Sequence, residues 1–137
     1  MSLYEQDFYQ WTQEQASLLK AGALSEIDIE NLIEEIESMG KSQKRALESR
    51  LTVLIMHILK WDYQPEYQSK SWKSTIITQR KEIIRLLRMN PGLRNTLNDL
   101  FNEIYNDAVE IASAETGLTE SSFPKTCPYT IEQVMGG

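Results

Sequence analysis

The sequence predicts an all-α fold, a single-domain bundle of about five helices over residues 1–137 with a docked C-terminal tail. Three observations carry that expectation. Apolar residues recur at helical spacing almost throughout, and no stretch alternates with period two. The run around Ile55 is apolar nearly all the way round a helix, the pattern of a segment enclosed by others. With 137 residues, 41% of them hydrophobic and 25% charged, the chain can bury one core without disulfides or metal.

The first helix is expected from about Glu5 to Ala21, with Tyr4, Phe8, Trp11 and Leu18 along one side and Gly22 as its stop. Ser25 then reads as an N-cap with Asp28 three residues on, and Leu24 and Ile29 are placed for a hydrophobic staple. The second helix follows to Met39, with Ile29, Leu32, Ile33 and Ile36 inward and Glu26, Glu30, Glu34 and Glu37 outward, and Gly40 ends it.

The third helix, about Ser42 to Tyr63, is the expected centre. Leu47, Leu51, Leu54, Ile55 and Ile58 form one stripe, and Val53, Met56, Leu59 and Trp61 cover much of the remaining circumference. Pro65 closes it, leaving a loop to Ser71. The fourth helix, about Ser71 to Met89, turns Trp72, Ile76, Ile83, Leu86 and Leu87 inward and sets Lys81, Arg85 and Arg88 on one outer face. Asn90-Pro91 reads as N-cap and first position of the fifth helix. That helix repeats Leu93, Leu97, Leu100, Phe101, Ile104, Ala108 and Ile111 on one face and ends near Gly117. The tail is extended until Thr130 and Gln133 cap a last turn, and Phe123, Tyr129 and Ile131 are its apolar anchors.

Charge is segmented. Met1 to Gly40 holds nine acids and one base, a balance of −8; Lys41 to Arg94 holds twelve bases and four acids, +8; the remainder holds seven acids and one base, −6. Either the acidic outer segments pack beside the basic middle, or the middle bases form a face for phosphate or an acidic partner. The net charge of −6 argues against a general nucleic-acid binder. Cys127 is the only cysteine, so no disulfide forms within the chain, which suits a reducing compartment. The acidic start MSLYEQDFYQ has no apolar stretch of a secretory signal, and the longest apolar run, Leu51 to Leu59, is too short to span a bilayer. A cytoplasmic protein without membrane contact is expected.

No complete catalytic constellation is present. One His and one Cys, seventy residues apart, make no zinc set, and Leu54 occupies the position where a di-iron bundle needs a glutamate before His57. Glu34 and Glu37 supply half of a magnesium site of the all-α pyrophosphohydrolase kind, but Glu103 is followed at +3 by Asn106, with Asp107 one residue late. No metal and no cofactor is expected. Arg50, His57 and Trp61 fall along one side of the third helix, and an Arg beside a His can bind phosphate and relay a proton. Their spacing resembles the motif of the helical HEPN ribonucleases of bacterial defence systems. The bland alternative is a buried His57 satisfied by a carboxylate, with Arg50 paired to a glutamate of the second helix. Trp61, Lys73, Arg80, Lys81, Arg85 and Arg88 are the candidates for a ligand or phosphate site. The aromatics Trp61, Tyr63, Tyr67 and Trp72 around Lys60, Lys70 and Lys73 read more simply as anchors of a loop. Cys127 has no base nearby in sequence and reads as an inert thiol.

Asp7-Phe8-Tyr9-x-Trp11, the run from Asn31 to Gly40, His57-x-x-Lys60-Trp61, Ser71-Trp72, Gln79-Arg80, Pro91 with Leu93, and Cys127-Pro128-Tyr129-Thr130 resemble, in order, the bacterial and chiefly cyanobacterial family called domain of unknown function 29. The resemblance implies a compact helical domain and assigns no activity and no functional residue. The residues themselves favour a non-enzymatic helical protein-interaction module, with a protein partner or self-association. The alternative is a metal-independent ribonuclease or nucleic-acid-binding protein of the defence or toxin–antitoxin type, using Arg50, His57 and the basic middle segment.

Overall fold

The computed structural model describes residues 1–137, and the fold is all-α. The helices are α1 (Leu3–Gln6), α2 (Phe8–Lys20), α3 (Ile29–Tyr63), α4 (Lys70–Met89), α5 (Leu97–Thr116) and α6 (Ile131–Val134). Short 3-10 turns occupy Pro65–Tyr67, Pro91–Thr96 and Glu120–Ser122. The chain divides into two compact units, Met1–Ser42 and Gln43–Gly137, and α3 contributes residues to both.

In the first unit the expected single helix is two. Asp7 leaves helical geometry and caps α2, its carboxylate accepting from the Gln10 backbone N–H at 3.0 Å, so a single turn, α1, stands before it. At the other end of α2, Gly22 takes a φ of +70°, and Ala23 N–H reaches back to Leu18 C=O at 2.9 Å, a Schellman ending that glycine adopts without a Cβ penalty. Three expectations for the next segment fail. Ser25 lies in a turn, and the cap of α3 is Asp28, whose carboxylate accepts from Asn31. Leu24 and Ile29 are both exposed, so no staple forms. Gly40 ends nothing: it lies inside α3 with space around its Cβ position, because a helix-interior glycine costs only about 1 kcal/mol when its neighbours favour helix. The two predicted helices around it are therefore one.

The core of the first unit is small. Trp11 is buried against Tyr4 at 4.7 Å between ring centroids and against Phe8 at 5.7 Å. Its indole N–H donates to Asp28 at 3.0 Å, and the Asp28 backbone N–H donates to the buried Gln15 side chain at 2.7 Å. Two polar groups that burial would penalise are thereby satisfied within the unit.

The second unit holds the main core. Leu47, Leu51, Leu54, Ile55 and Leu59 of α3 are sealed, together with Ile83 of α4 and Leu100, Ala108 and Ala112 of α5. The all-round apolar run thus lies at the centre, as its pattern requires. α4 is capped by Ser69, which accepts from Trp72 N–H at 3.1 Å. Pro91 opens a 3-10 turn, Asn90 turns its amide back to Leu86 C=O, and the α-helix begins only at Leu97. On α5 the inward face is rotated from expectation: Ile111 is exposed, while Tyr105, Val109 and Ala112 are buried.

The tail is docked. Phe123 and Val134 are buried, adding roughly 1.5–3 kcal/mol for each large side chain removed from water. Tyr105 donates to Pro124 C=O at 2.6 Å, and burial pushes its hydroxyl up to about 12. Thr130 and Gln133 form the expected capping box on α6. No helix is long and apolar enough to cross a membrane.

Candidate functional site

The sequence candidates scatter over the second unit. Arg50 donates to Gln79 at 3.3 Å and pairs with Glu82 at 3.9 Å, both on α4, so its partner is not the second-helix glutamate expected. His57 is part-buried, and its Nδ1 lies 2.9 Å from the Val53 carbonyl one turn back, so a backbone oxygen takes the place of the expected carboxylate. Arg50 lines a groove with Glu82 and Arg85 that His57 does not reach. The polar atoms of the pair proposed to act together on a phosphodiester are thus held by different partners, those of Arg50 by α4 and Nδ1 of His57 by its own helix backbone.

Trp61, Lys73 and Arg80 do come together, lining a cavity of about 300 Å³ with Asp62, Ile76 and Ile77. Arg80 is partly committed there: its Nε donates to Val134 C=O at 2.8 Å, fastening the end of α6. Asp62 accepts from the Tyr129 hydroxyl at 2.6 Å, and burial, then that carboxylate, raise the Tyr129 pKa. Cys127 is half-buried, burial raises its pKa, and it is no activated nucleophile. Of the aromatics read as loop anchors, Tyr63 packs on Phe123 at 5.4 Å and Trp72 lies under the Lys60 ammonium at 4.6 Å, but Tyr67 is exposed. Lys60 itself is only 7% exposed and pairs with Glu115 at 3.5 Å, which ties the basic middle to the acidic end of α5.

The outer bases of α4 are different. Lys70, Lys73, Lys81, Arg85 and Arg88 are exposed and have no carboxylate within 4.0 Å. Lys70, Lys73, Lys81 and Arg88, with the exposed Ile77 and Ile84, fall within about a quarter of the helix circumference at 3.6 residues per turn. This is a basic, amphipathic, unpartnered stripe.

The first unit carries its counterpart in chemistry. Ile29, Ile33 and Ile36, expected inward, are 55%, 51% and 62% exposed, because only Trp11, Gln15 and the residues around them are enclosed in that small unit. Beside this isoleucine row stand the exposed Glu30, Glu34 and Glu37, one helical step away on α3. On the other side an apolar groove of about 290 Å³ runs between α2 and α3, lined by Phe8, Trp11, Leu19, Leu32, Ile36 and Met39. Glu34 and Glu37 face outward and meet no third metal-binding side chain. Hydrophobic spacing identified this row in the sequence; its being uncovered was not visible there.

No curated protein and no solved structure matches the chain. A family model matches residues 3–137, under the description Domain of unknown function DUF29. The motifs from Asp7 through Thr130 that pointed to this family lie inside that span, and the chain belongs to it.

Proposed function

We propose that the protein is a non-enzymatic helical interaction module that works by presenting the isoleucine row and groove of its first unit to another polypeptide. The observation that carries this reading is the exposure of Ile29, Ile33 and Ile36 in one line, flanked by Glu30, Glu34 and Glu37. Contiguous apolar surface bordered by charge is the signature of a docking face, since each of these half-covered isoleucines still stands to gain about half of the roughly 1.5–3 kcal/mol that full burial contributes. A bacterial cytoplasm as the setting is part of the proposal, supported by the absence of any cysteine pair in the chain.

A photo-crosslinking residue at Ile33 tests the reading in cells. Adducts to a polypeptide at that position, and none from the same residue placed at the exposed Glu103, are expected. An Ile33 probe that captures no polypeptide defeats the proposal.

A second reading, nucleic-acid binding, is favoured by the unpaired bases of α4. It predicts a salt-sensitive RNA or DNA mobility shift that is lost in Lys81→Ala/Arg88→Ala. Its catalytic form has less support, because Arg50 is engaged by Gln79 and Glu82 and His57 by Val53. Cleavage of mixed RNA that vanishes in a folded His57→Ala variant is what it requires.

A further inference from the structure

Taking the docking role of the first unit as given, the occupant can be named from the chain itself. We propose that the acid-flanked isoleucine row and groove of one molecule receive the basic outer stripe of α4 from a second copy, so that the protein self-associates head to tail.

The two surfaces match feature by feature. One is apolar with a carboxylate border: Ile29, Ile33 and Ile36 beside Glu30, Glu34 and Glu37. The other is a helix whose stripe interleaves Ile77 and Ile84 with Lys70, Lys73, Lys81 and Arg88. The main apolar face of α4 is buried in its own unit, so the exposed Ile77 and Ile84 are what it lays against the groove, with ammonium and guanidinium groups reaching the carboxylates beside it, a variant of helix-in-groove recognition. The arrangement uses α4 bases that have no ion pair and buries isoleucines that have no cover.

Charge also excludes the simpler pairing. Two first units facing each other would bring together two segments that each carry nine acids against one base up to Gly40. Like-charge juxtaposition opposes that contact, whereas the +8 of Lys41–Arg94 attracts it. Because the contact joins unlike surfaces, it is heterologous. A foreign helix would need the same chemistry, and α4 presents it at the concentration of the protein.

Sedimentation velocity of the full chain over about a hundredfold range of concentration tests this. Mass-action growth beyond the monomer is expected, weakening as salt screens the rim pairs. Glu30→Lys/Glu34→Lys/Glu37→Lys and Lys73→Glu/Lys81→Glu/Arg88→Glu alter only exposed side chains, and each should be monomeric, with association weakened by about a hundredfold or more. Mixing the two reversed proteins should restore a complex, since each then offers the other a surface of opposite sign. For either variant that fails to fold by circular dichroism, Ile33→Ser/Ile36→Ser in the first unit or Ile77→Ser/Ile84→Ser on α4 replaces it in the loss arm.

A wild-type chain that stays monomeric throughout overturns the inference, as does self-association that survives both reversals. The outcome for the docking role is separate. A monomeric chain whose Ile33 probe still captures a foreign protein loses the second-copy assignment and keeps the role; one whose probe captures nothing loses both. A monomer whose α4 bases shift RNA also overturns it, and assigns that stripe to nucleic acid.

Discussion

The Trp11 indole N–H donates to the Asp28 carboxylate at 3.0 Å, so one acidic residue both caps α3 and satisfies the buried ring that centres the first unit. Hydrogen bonds from Asn31 and Trp11 to this carboxylate hold its pKa below the ordinary value.

Asp28→Ala therefore removes two functions at once. Amide exchange through the first turn of α3 should accelerate about fivefold or more, the usual effect of a lost cap, and the Trp11 indole proton should shift in the NMR spectrum. Acid acts in the same direction. A depressed carboxylate pKa stabilises the fold above the ordinary carboxylate range, and that contribution disappears as pH falls through the lower folded value. The Trp11 indole resonance, followed on acidification, should report the loss in the wild type and be insensitive to it in Asp28→Ala.

Leu54 and Ile33 are both branched aliphatic residues of α3, and they should behave oppositely. Leu54 is sealed in the core, so Leu54→Ala should cost about 2–5 kcal/mol in urea unfolding. Ile33 is exposed, and Ile33→Ala should stay within about 0.5 kcal/mol. Equal losses would mean the isoleucine row is structural and would remove the main support for a docking face.

Lys60 is held by Glu115 and by the face of Trp72. Glu115→Gln leaves the buried ammonium with the ring alone and should lower stability by about 1 kcal/mol, tempered by the exposure of Glu115. Lys60→Met removes the charge and keeps the stem, and should be near neutral or stabilising. The double variant should match Lys60→Met, a non-additivity that thermal unfolding can read.

Gly40→Ala should stabilise the chain by about 0.5–1 kcal/mol, because the residue is inside α3 and nothing lies within 4 Å of its Cβ position. A destabilised variant would contradict a helix that runs through this point.

The misread stretch between Gly22 and Gly40 shows what short-range signals can decide. Ser25 and Asp28 are both competent caps, and the choice went to Asp28 because only its position serves Trp11 and Gln15 as well. Gly22 and Gly40 look alike as punctuation, yet only Gly22 adopts the left-handed backbone. The first choice is not a property of the local sequence, since Trp11 and Gln15 lie more than ten residues from Asp28; at Gly22 the turn is closed locally, by Leu18 and Leu19.

Arg50 and His57 make the same point for the candidate site. Their spacing places them on one side of a helix, and that is all it says; Gln79, Glu82 and the Val53 carbonyl then take their polar atoms for other purposes. By contrast, the outward bases Lys81, Arg85 and Arg88 were readable, because a helix with Ile83 and Leu87 inward leaves them no other direction.

What periodicity and composition settled was the helical class, the central place of the Leu47–Leu59 run and the capped, docked tail, because an apolar pattern of that width and strength has one inexpensive arrangement in water. Folding in three dimensions settled which apolar rows found a cover. Period alone tells that Ile29, Ile33 and Ile36 share a face, but burial requires another surface to meet that face. The structure leaves the row exposed beside its glutamates, and this makes it a candidate for contact with another molecule.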